Sequence, residues 1–327
     1  MSKNLKKVVS LCLVIICLFT LVSCKKEKKQ ITIIQFASAN ALEDAKDGVI
    51  EALEKAGFID GENIEIDVQN PQGDSNTLAL MAQNAVRKSD LIVAIATPAA
   101  IAVKNECEKQ GSDVPVLFTA VTDPVASGLI ESNEKPGANI TGTNDMNPVE
   151  DQVALLKELN PEAKKLGIIY TASEPNSVIQ VEMAKKKAQD LGIETVVQTV
   201  SSLNEIKTMM EALANSNVDA IYLPTDNNIS SAIATAAAVA NEKGVPTICG
   251  EEGMLTGGGT ITLGINYKNL GIITGEMAAQ VLNDKNPAEM PVQGLTNFTL
   301  VINKKVAEES NIEIPAELLA KADRVIE

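Results

Sequence analysis

Ile31-Thr32-Ile33-Ile34-Gln35-Phe36 and Leu166-Gly167-Ile168-Ile169-Tyr170-Thr171 are short apolar runs 135 residues apart, and the first leads into Leu42 to Ala56, where apolar residues recur at helical spacing. The correspondence continues downstream. Ser89-Asp90-Leu91-Ile92-Val93-Ala94 matches Val218-Asp219-Ala220-Ile221-Tyr222-Leu223 at an offset of 129, and Val114-Pro115-Val116-Leu117-Phe118-Thr119 matches Val245-Pro246-Thr247-Ile248-Cys249-Gly250 at 131. Two successive units with the same order of elements and small loop differences are an internal repeat. Runs this continuously apolar, separated by single helices, call for parallel sheets covered on both faces. The fold class expected is therefore α/β: two doubly wound parallel-sheet lobes joined by a multi-strand hinge. A single barrel of eight units is not supported, because eight evenly spaced units are not present.

Working outward, further strand and helix pairs fall at Asn63 to Val68 with Thr77 to Arg87, and at Leu91 to Ala96 with Ala99 to Glu108. Ile140 to Asp145 reads as a strand leaving the first unit, with Pro148 opening a helix. Gly257-Gly258-Gly259 precedes a strand rather than a helix, so it reads as a turn and not a nucleotide cradle. Asn269 to Leu282 reads as a helix returning to the first lobe, and Phe298 to Ile302 as a strand sent back to the second. The expected lobes are 31–143 plus 267–293 and 144–266 plus 298–327. Ligands of such folds sit at the carboxyl ends of the strands, in the cleft between lobes.

The amino-terminal end reads as a leader. Lys3, Lys6 and Lys7 precede an uncharged apolar run from Val8 to Val22, too short for a comfortable membrane span of about 20 residues. It ends in Leu21-Val22-Ser23-Cys24, which resembles a lipobox, so residues 1–23 are expected to be a signal peptide, Cys24 the lipidated residue, and 24–30 a linker anchored at the membrane. Cys12 and Cys17 leave with the leader, and Cys107 and Cys249 are expected to be unpaired core thiols.

Composition narrows the chemistry. The 327 residues contain no histidine, which removes the commonest general base and zinc ligand, and no metal or other cofactor is expected. Loss of three leader lysines takes the net charge from −15 to −18, an acidic balance that disfavours nucleic acid. There is no tryptophan and little tyrosine, which weighs against stacking a pyranose ring. No nucleophile elbow occurs, so an enzyme working with carboxylates alone is the weaker reading.

The loops after the strands supply the candidate ligand contacts: Gln35, Ser38 and Asn40, then Thr97, then Thr122 and Asp123, then Asn144 at the crossing. The second unit mirrors them with Ser173, Glu174, Asn176 and Ser177, then Asp226 and Asn227, then Glu251, with Tyr267 at the returning crossing. The helix beginning near Ala99 offers N-terminal amides for an anion, and the carboxylates offer a seat for a cation, which together suit a zwitterion such as an amino acid. Phe36 and Tyr267 are the candidate walls of an apolar side-chain pocket.

Ile33-Ile34-Gln35, Ala96-Thr97-Pro98, Val121-Thr122-Asp123-Pro124, Thr141-Gly142-Thr143, Tyr170 through Ser177, Pro224-Thr225-Asp226-Asn227 and Gly250-Glu251-Glu252 occur in that order. On these motifs, over Ile31 to about Pro315, the chain resembles the substrate-binding lipoproteins of ABC importers grouped with tryptophan and tyrosine transport, a branch of the type I periplasmic binding protein fold. The resemblance implies an extracytoplasmic monomer that closes over an aromatic amino acid and serves permease and ATPase subunits. A membrane-tethered ligand sensor, or a sugar or nucleoside binder of the same fold, is the alternative. Where such proteins often carry a His-Pro pair, this chain has Asn40-Ala41 before Leu42-Glu43-Asp44.

Overall fold

The computed structural model describes residues 28–327, and the expected leader, cleavage site and Cys24 lie outside them. In the first unit β1 (Lys29–Gln35), α1 (Asn40–Lys55), β2 (Ile64–Gln69), α2 (Ser75–Lys88), β3 (Leu91–Ile95), α3 (Thr97–Gln110), β4 (Val116–Val121) and β5 (Ile140–Asn144) follow one another. Their sheet runs β2-β1-β3-β4-β5 with every pairing parallel, and a two-residue strand, β11 (Gln293–Gly294), extends it beside β5. All five residues of β3 are buried, as a central parallel strand requires, while β2 at the edge carries Glu65 and Asp67 among exposed positions.

The second unit repeats this order. α4 (Val149–Leu159) leads into β6 (Lys165–Thr171), α5 (Pro175–Asp190), β7 (Glu194–Val200), α6 (Ile206–Ala214), β8 (Ala220–Leu223), α7 (Asn227–Ser231) and α8 (Ile233–Glu242). Then come β9 (Thr247–Cys249), α9 (Gly253–Thr256), β10 (Ile261–Gly264) and α10 (Tyr267–Leu282). The sheet runs β7-β6-β8-β9-β10, followed by β12 (Thr299–Asn303), antiparallel to β10, and β13 (Arg324–Ile326). Both sheets thus share the 2-1-3-4-5 order of a doubly wound fold. Along β8, Ile221 and Leu223 join the apolar cluster that contains Met210 and Ala236, while Ala220 and Tyr222 join the opposite one with Val153 and Val181. That period of two shows both faces of the sheet to be covered.

α10 leaves the second sheet and packs on α1 of the first unit. The two helices approach closely at glycines: a Cβ on Gly271 would stand 2.0 Å from the Ala45 carbonyl oxygen, and one on Gly275 2.5 Å from that of Val49. After β11 the chain returns to the second sheet as β12, so three segments connect the two units, at 145–148, 265–266 and 295–298. Cys107 in α3 and Cys249 in β9 are buried and unpaired. Among the described residues no helix is long and apolar enough to cross a membrane.

Candidate functional site

The carboxyl ends of both sheets face each other across a cavity holding about 320 Å³ of space free of atoms, open solvent at its mouth included. The first unit contributes Ala39, Ala41 and Leu42 from the start of α1 and Ala120 and Thr122 from the end of β4. Asp145 and Tyr267 come from the crossings. The second unit contributes Asn176, Thr225, Asp226, Asn227, Ser230 and Glu251. A wider acidic recess shares Ala41, Glu251 and Tyr267 with this cavity and adds Glu43, Asp44 and Glu252.

The local sequence accounts for these positions. Apart from Ala120, near the end of β4, they come from loops following strands or from the short turns and helix starts next to them, where backbone polar groups meet side chains instead of a ladder. Ala120 has φ 54°, beside a register shift between β4 and β5, where Gly142 lies so close that a Cβ would stand 1.9 Å from the Phe118 carbonyl oxygen. The left-handed turn at Ala120 is the kind of local strain that clusters at binding sites. α1 begins with Ala39 as its N-cap, which offers no side-chain acceptor, so the first-turn amides and the positive end of the helix dipole lie at the cavity wall.

The second unit's wall is a closed hydrogen-bond network. Asp226 is fully buried, and its Oδ2 accepts the Thr171 N–H at 2.6 Å and the Ser177 hydroxyl at 2.8 Å, while its Oδ1 accepts the Thr171 hydroxyl at 2.8 Å and the Ile229 N–H at 3.0 Å. Behind it, Glu174 accepts the Asn227 and Asn228 N–H groups at 3.0 and 3.1 Å and the side-chain amides of Asn227 and Asn176. Burial, with the charge of Asp226 added, pushes the Glu174 carboxyl up to about 8. Burial raises Asp226 as well, against the pull of its four donors. Glu251 accepts the Ser230 hydroxyl at 2.9 Å and the Gly253 N–H, and burial pushes it up to about 7. Asp145, 4% exposed, accepts the Tyr267 hydroxyl on Oδ2 at 2.7 Å, and burial pushes it up to about 6.

Of the residues expected from sequence, the cavity wall gathers Thr122, Asn176, Asp226, Asn227, Glu251 and Tyr267. Asn40 lies at the lip, where its Nδ2 donates across the cleft to the Gly253 carbonyl and the Thr256 hydroxyl. Glu174 and Ser177 stand behind the wall, bonded to the residues that line it. The others are placed elsewhere. Gln35 is buried beneath α1 and donates to Ala37 and Glu43, Ser38 bonds to Gln72 on the surface, and Ser173 is exposed. Asp123 caps its own turn through the Val125 and Ala126 N–H groups. Asn144 lies against Gly294 of β11, and its neighbour Asp145 takes the cavity position. Thr97 and the start of α3 do not reach the wall, so the helix start that does is α1. Phe36 belongs to the first unit's core, and the hydroxyl of Tyr267 is held by Asp145.

The sequence reading missed Ser230, which needs the extra turn α7 to be seen, and Gln180, one turn into α5. Gln180 donates across the cleft to the Thr122 hydroxyl at 3.3 Å and also bonds to Thr225. With Asn40 it ties the two units together in a closed arrangement.

Known proteins share this architecture. A structure from Streptococcus pneumonia, described as an ABC domain in complex with L-Trp, is 36% identical with a TM-score of 0.86, covering 92% of this chain and 100% of that one. A ligand-free, open structure of a substrate-binding protein with adhesive properties from Clostridium difficile is 37% identical but has a TM-score of only 0.66, covering 91% of this chain and 99% of that one. At nearly equal identity, the lower value against an open form agrees with the closed lobes here. A protein of Clostridioides difficile (strain R20291) named tyrosine-binding protein is 41% identical over 280 residues, 85% of this chain and 80% of the relative. Residues 30–326 match the profile of the family described as ABC transporter substrate binding protein, and the chain belongs to that family.

Proposed function

We propose that this chain captures an aromatic amino acid, such as tyrosine, tryptophan or phenylalanine, in the cavity between its two lobes, taken as 31–143 plus 267–293 and 144–266 plus 298–327. The observation that carries the reading is the division of the cavity wall. Ala39, Ala41, Leu42 and Ala120 form a surface of short or apolar side chains, and polar groups with buried carboxylates face it. No lysine or arginine among the described residues lines the cavity, so a ligand carboxylate is met by neutral donors: the α1 amides and the Thr122 hydroxyl. The two relatives whose names mention tyrosine and L-Trp support the same class.

Binding works by closure. A ligand touching both lobes stabilises the closed form by the difference between its affinities for the two forms, and the Asn40 and Gln180 bonds add to that form alone. No covalent chemistry is assigned. The closed form presents its cargo to permease and ATPase subunits as an extracytoplasmic monomer held at the membrane through a lipid on Cys24. Replacing Cys24 by alanine is expected to release the protein from the membrane fraction, and retention there would remove the lipid anchor from the proposal.

The deciding experiment is a thermal-shift screen of ligand-stripped protein against the amino acids and a panel of sugars. A ligand at 100 times its Kd adds about 2.7 kcal/mol of stability. A shift with the aromatic amino acids and none with sugars is expected, and a shift confined to sugars would overturn the reading.

A further inference from the structure

We propose that Asp145 Oδ1, with Asn176 Oδ1 of the second lobe in the same cavity wall, is the seat for a primary ammonium group of the ligand; this rests on the amino-acid reading above. Of the acids that the sequence offers for a cation, Asp226 and Glu251 line the cavity, and both already hold donors from the protein. An ionised carboxylate has about four lone-pair sites. All four on Asp226 are taken by Thr171, Ser177 and Ile229. Each oxygen of Glu251 already holds a donor, from Ser230 and Gly253. Asp226 is thus filled by the fold, and Glu251 has no oxygen left without a donor.

Asp145 differs. Its Oδ2 holds the Tyr267 hydroxyl, but its Oδ1 is buried without a hydrogen-bond partner, in a residue that lines the cavity. The Thr122 hydroxyl stands nearby without making a hydrogen bond of sound geometry to Oδ1. Asn176 Oδ1 is also buried and unpartnered, because the amide's donor side is committed to Glu174, Ser177 and the Thr225 carbonyl. Two bare acceptors in one cavity, with no basic side chain lining it, call for a group that only donates and carries positive charge. An ammonium has three N–H donors and no acceptor. Burial raises Asp145 to about 6 and Glu251 to about 7, so Asp145 is the more readily ionised of the two near neutral pH.

Its place in the chain adds a second role. Asp145 opens the crossing from β5 to α4, and Tyr267, which holds it, opens the crossing from β10 to α10. Asn147 fastens the two crossings together, donating to the Asp145 carbonyl and the Tyr267 hydroxyl and accepting the Ile265 N–H. An ammonium on Asp145 is therefore bound to the hinge itself, and Asn176 completes its shell from the far lobe.

The test compares L-tyrosine with 3-(4-hydroxyphenyl)propionate, which differs only in lacking the ammonium, by calorimetric titration. Wild type is expected to prefer L-tyrosine by about 100-fold or more, since charge-assisted bonds in a dry site contribute strongly. Asp145→Asn keeps the shape and the Tyr267 contact. It should weaken L-tyrosine by about 30-fold and the desamino compound by less than about threefold. Asn176→Ala, the second variant, should narrow the same preference by about tenfold. A preference that both folded variants leave unchanged overturns the ammonium seat while the aromatic reading stands. Wild type that binds neither compound overturns the aromatic reading and the seat with it.

Discussion

The two lobes share one topology and present opposite surfaces to the cavity between them. On the first-lobe side the side chains are mostly apolar, Ala39, Ala41, Leu42 and Ala120, and the polar contacts come from the Thr122 hydroxyl and the backbone amides that open α1. On the second-lobe side Asn176, Asp226, Asn227, Ser230 and Glu251 form a network in which Asp226 and Glu251 already have their donors. The repeat supplied two copies of a frame, and the loops made one copy a mould for a side chain and the other a rigid polar template. Charge left over for a ligand sits at neither wall but at the crossing, on Asp145.

The largest effect should come from breaking the template. Asp226→Ala leaves the Thr171 and Ile229 N–H groups and the Ser177 hydroxyl buried without an acceptor, and is expected to cost the ligand-free protein about 4 kcal/mol by urea denaturation. Asp145→Asn at the crossing should cost nothing by the same measure. Equal losses from the two would erase the distinction between built-in and ligand-directed acids.

Next comes pH. Asp145, Glu251 and Glu174 are raised by burial to about 6, 7 and 8, above the ordinary carboxylate range they occupy in the unfolded chain. Between about pH 4.5 and 8 the folded form then binds more protons than the unfolded one, so stability falls as pH rises. The ligand-free protein is expected to be less stable at pH 8 than at pH 5, with all three groups contributing in the same direction, as urea denaturation at the two pH values would show. A stability that rises over that window would show these acids to be held ionised by partners. Ligand affinity should move the other way, weakening below about pH 6 as Asp145 takes up a proton.

The smallest effect concerns the lip. A Cβ on Gly253 would stand 2.8 Å from Cβ of Asn40 in the other lobe, closer than carbon atoms pack. The same Cβ would stand 2.8 Å from Glu251 Oε2 in its own lobe, so Gly253→Ala should both hold the lobes slightly apart and disturb that acid, lowering ligand affinity by about tenfold in calorimetric titration. Unchanged affinity would mean that the second lobe yields at α9 without disturbing the cavity.

The fold was legible because each strand of a doubly wound sheet is a continuous apolar run and the runs recur in the same order. Short elements carried no such signal: β11 has two residues, β13 three, and α9 four. At the site, the loops could be named but not the residues within them that face inward. Strand alternation should tell Asn144 from Asp145, yet the register shift between β4 and β5 breaks the count just before the cavity. Asp123 and Ser173 have the same composition as true wall residues, and one caps a turn while the other faces solvent. Polar residues after strands serve helix caps and ligands alike, and only the fate of each oxygen separates the two uses. Gln180 left no trace because its helix position looks like any solvated one.

The described chain enters the first sheet far from the cavity. β1 begins at Lys29, at the amino ends of parallel strands, and Lys29 Nζ donates to the carbonyl of Leu282 at the far end of α10. The seven residues of β1 span roughly 20 Å, so the entry point of the chain and the ligand cavity are at opposite poles of this lobe. Anything fastened ahead of Lys28 would pull on the pole of this lobe away from the cavity, and its load would pass along the strands of the first sheet and not through the ligand contacts.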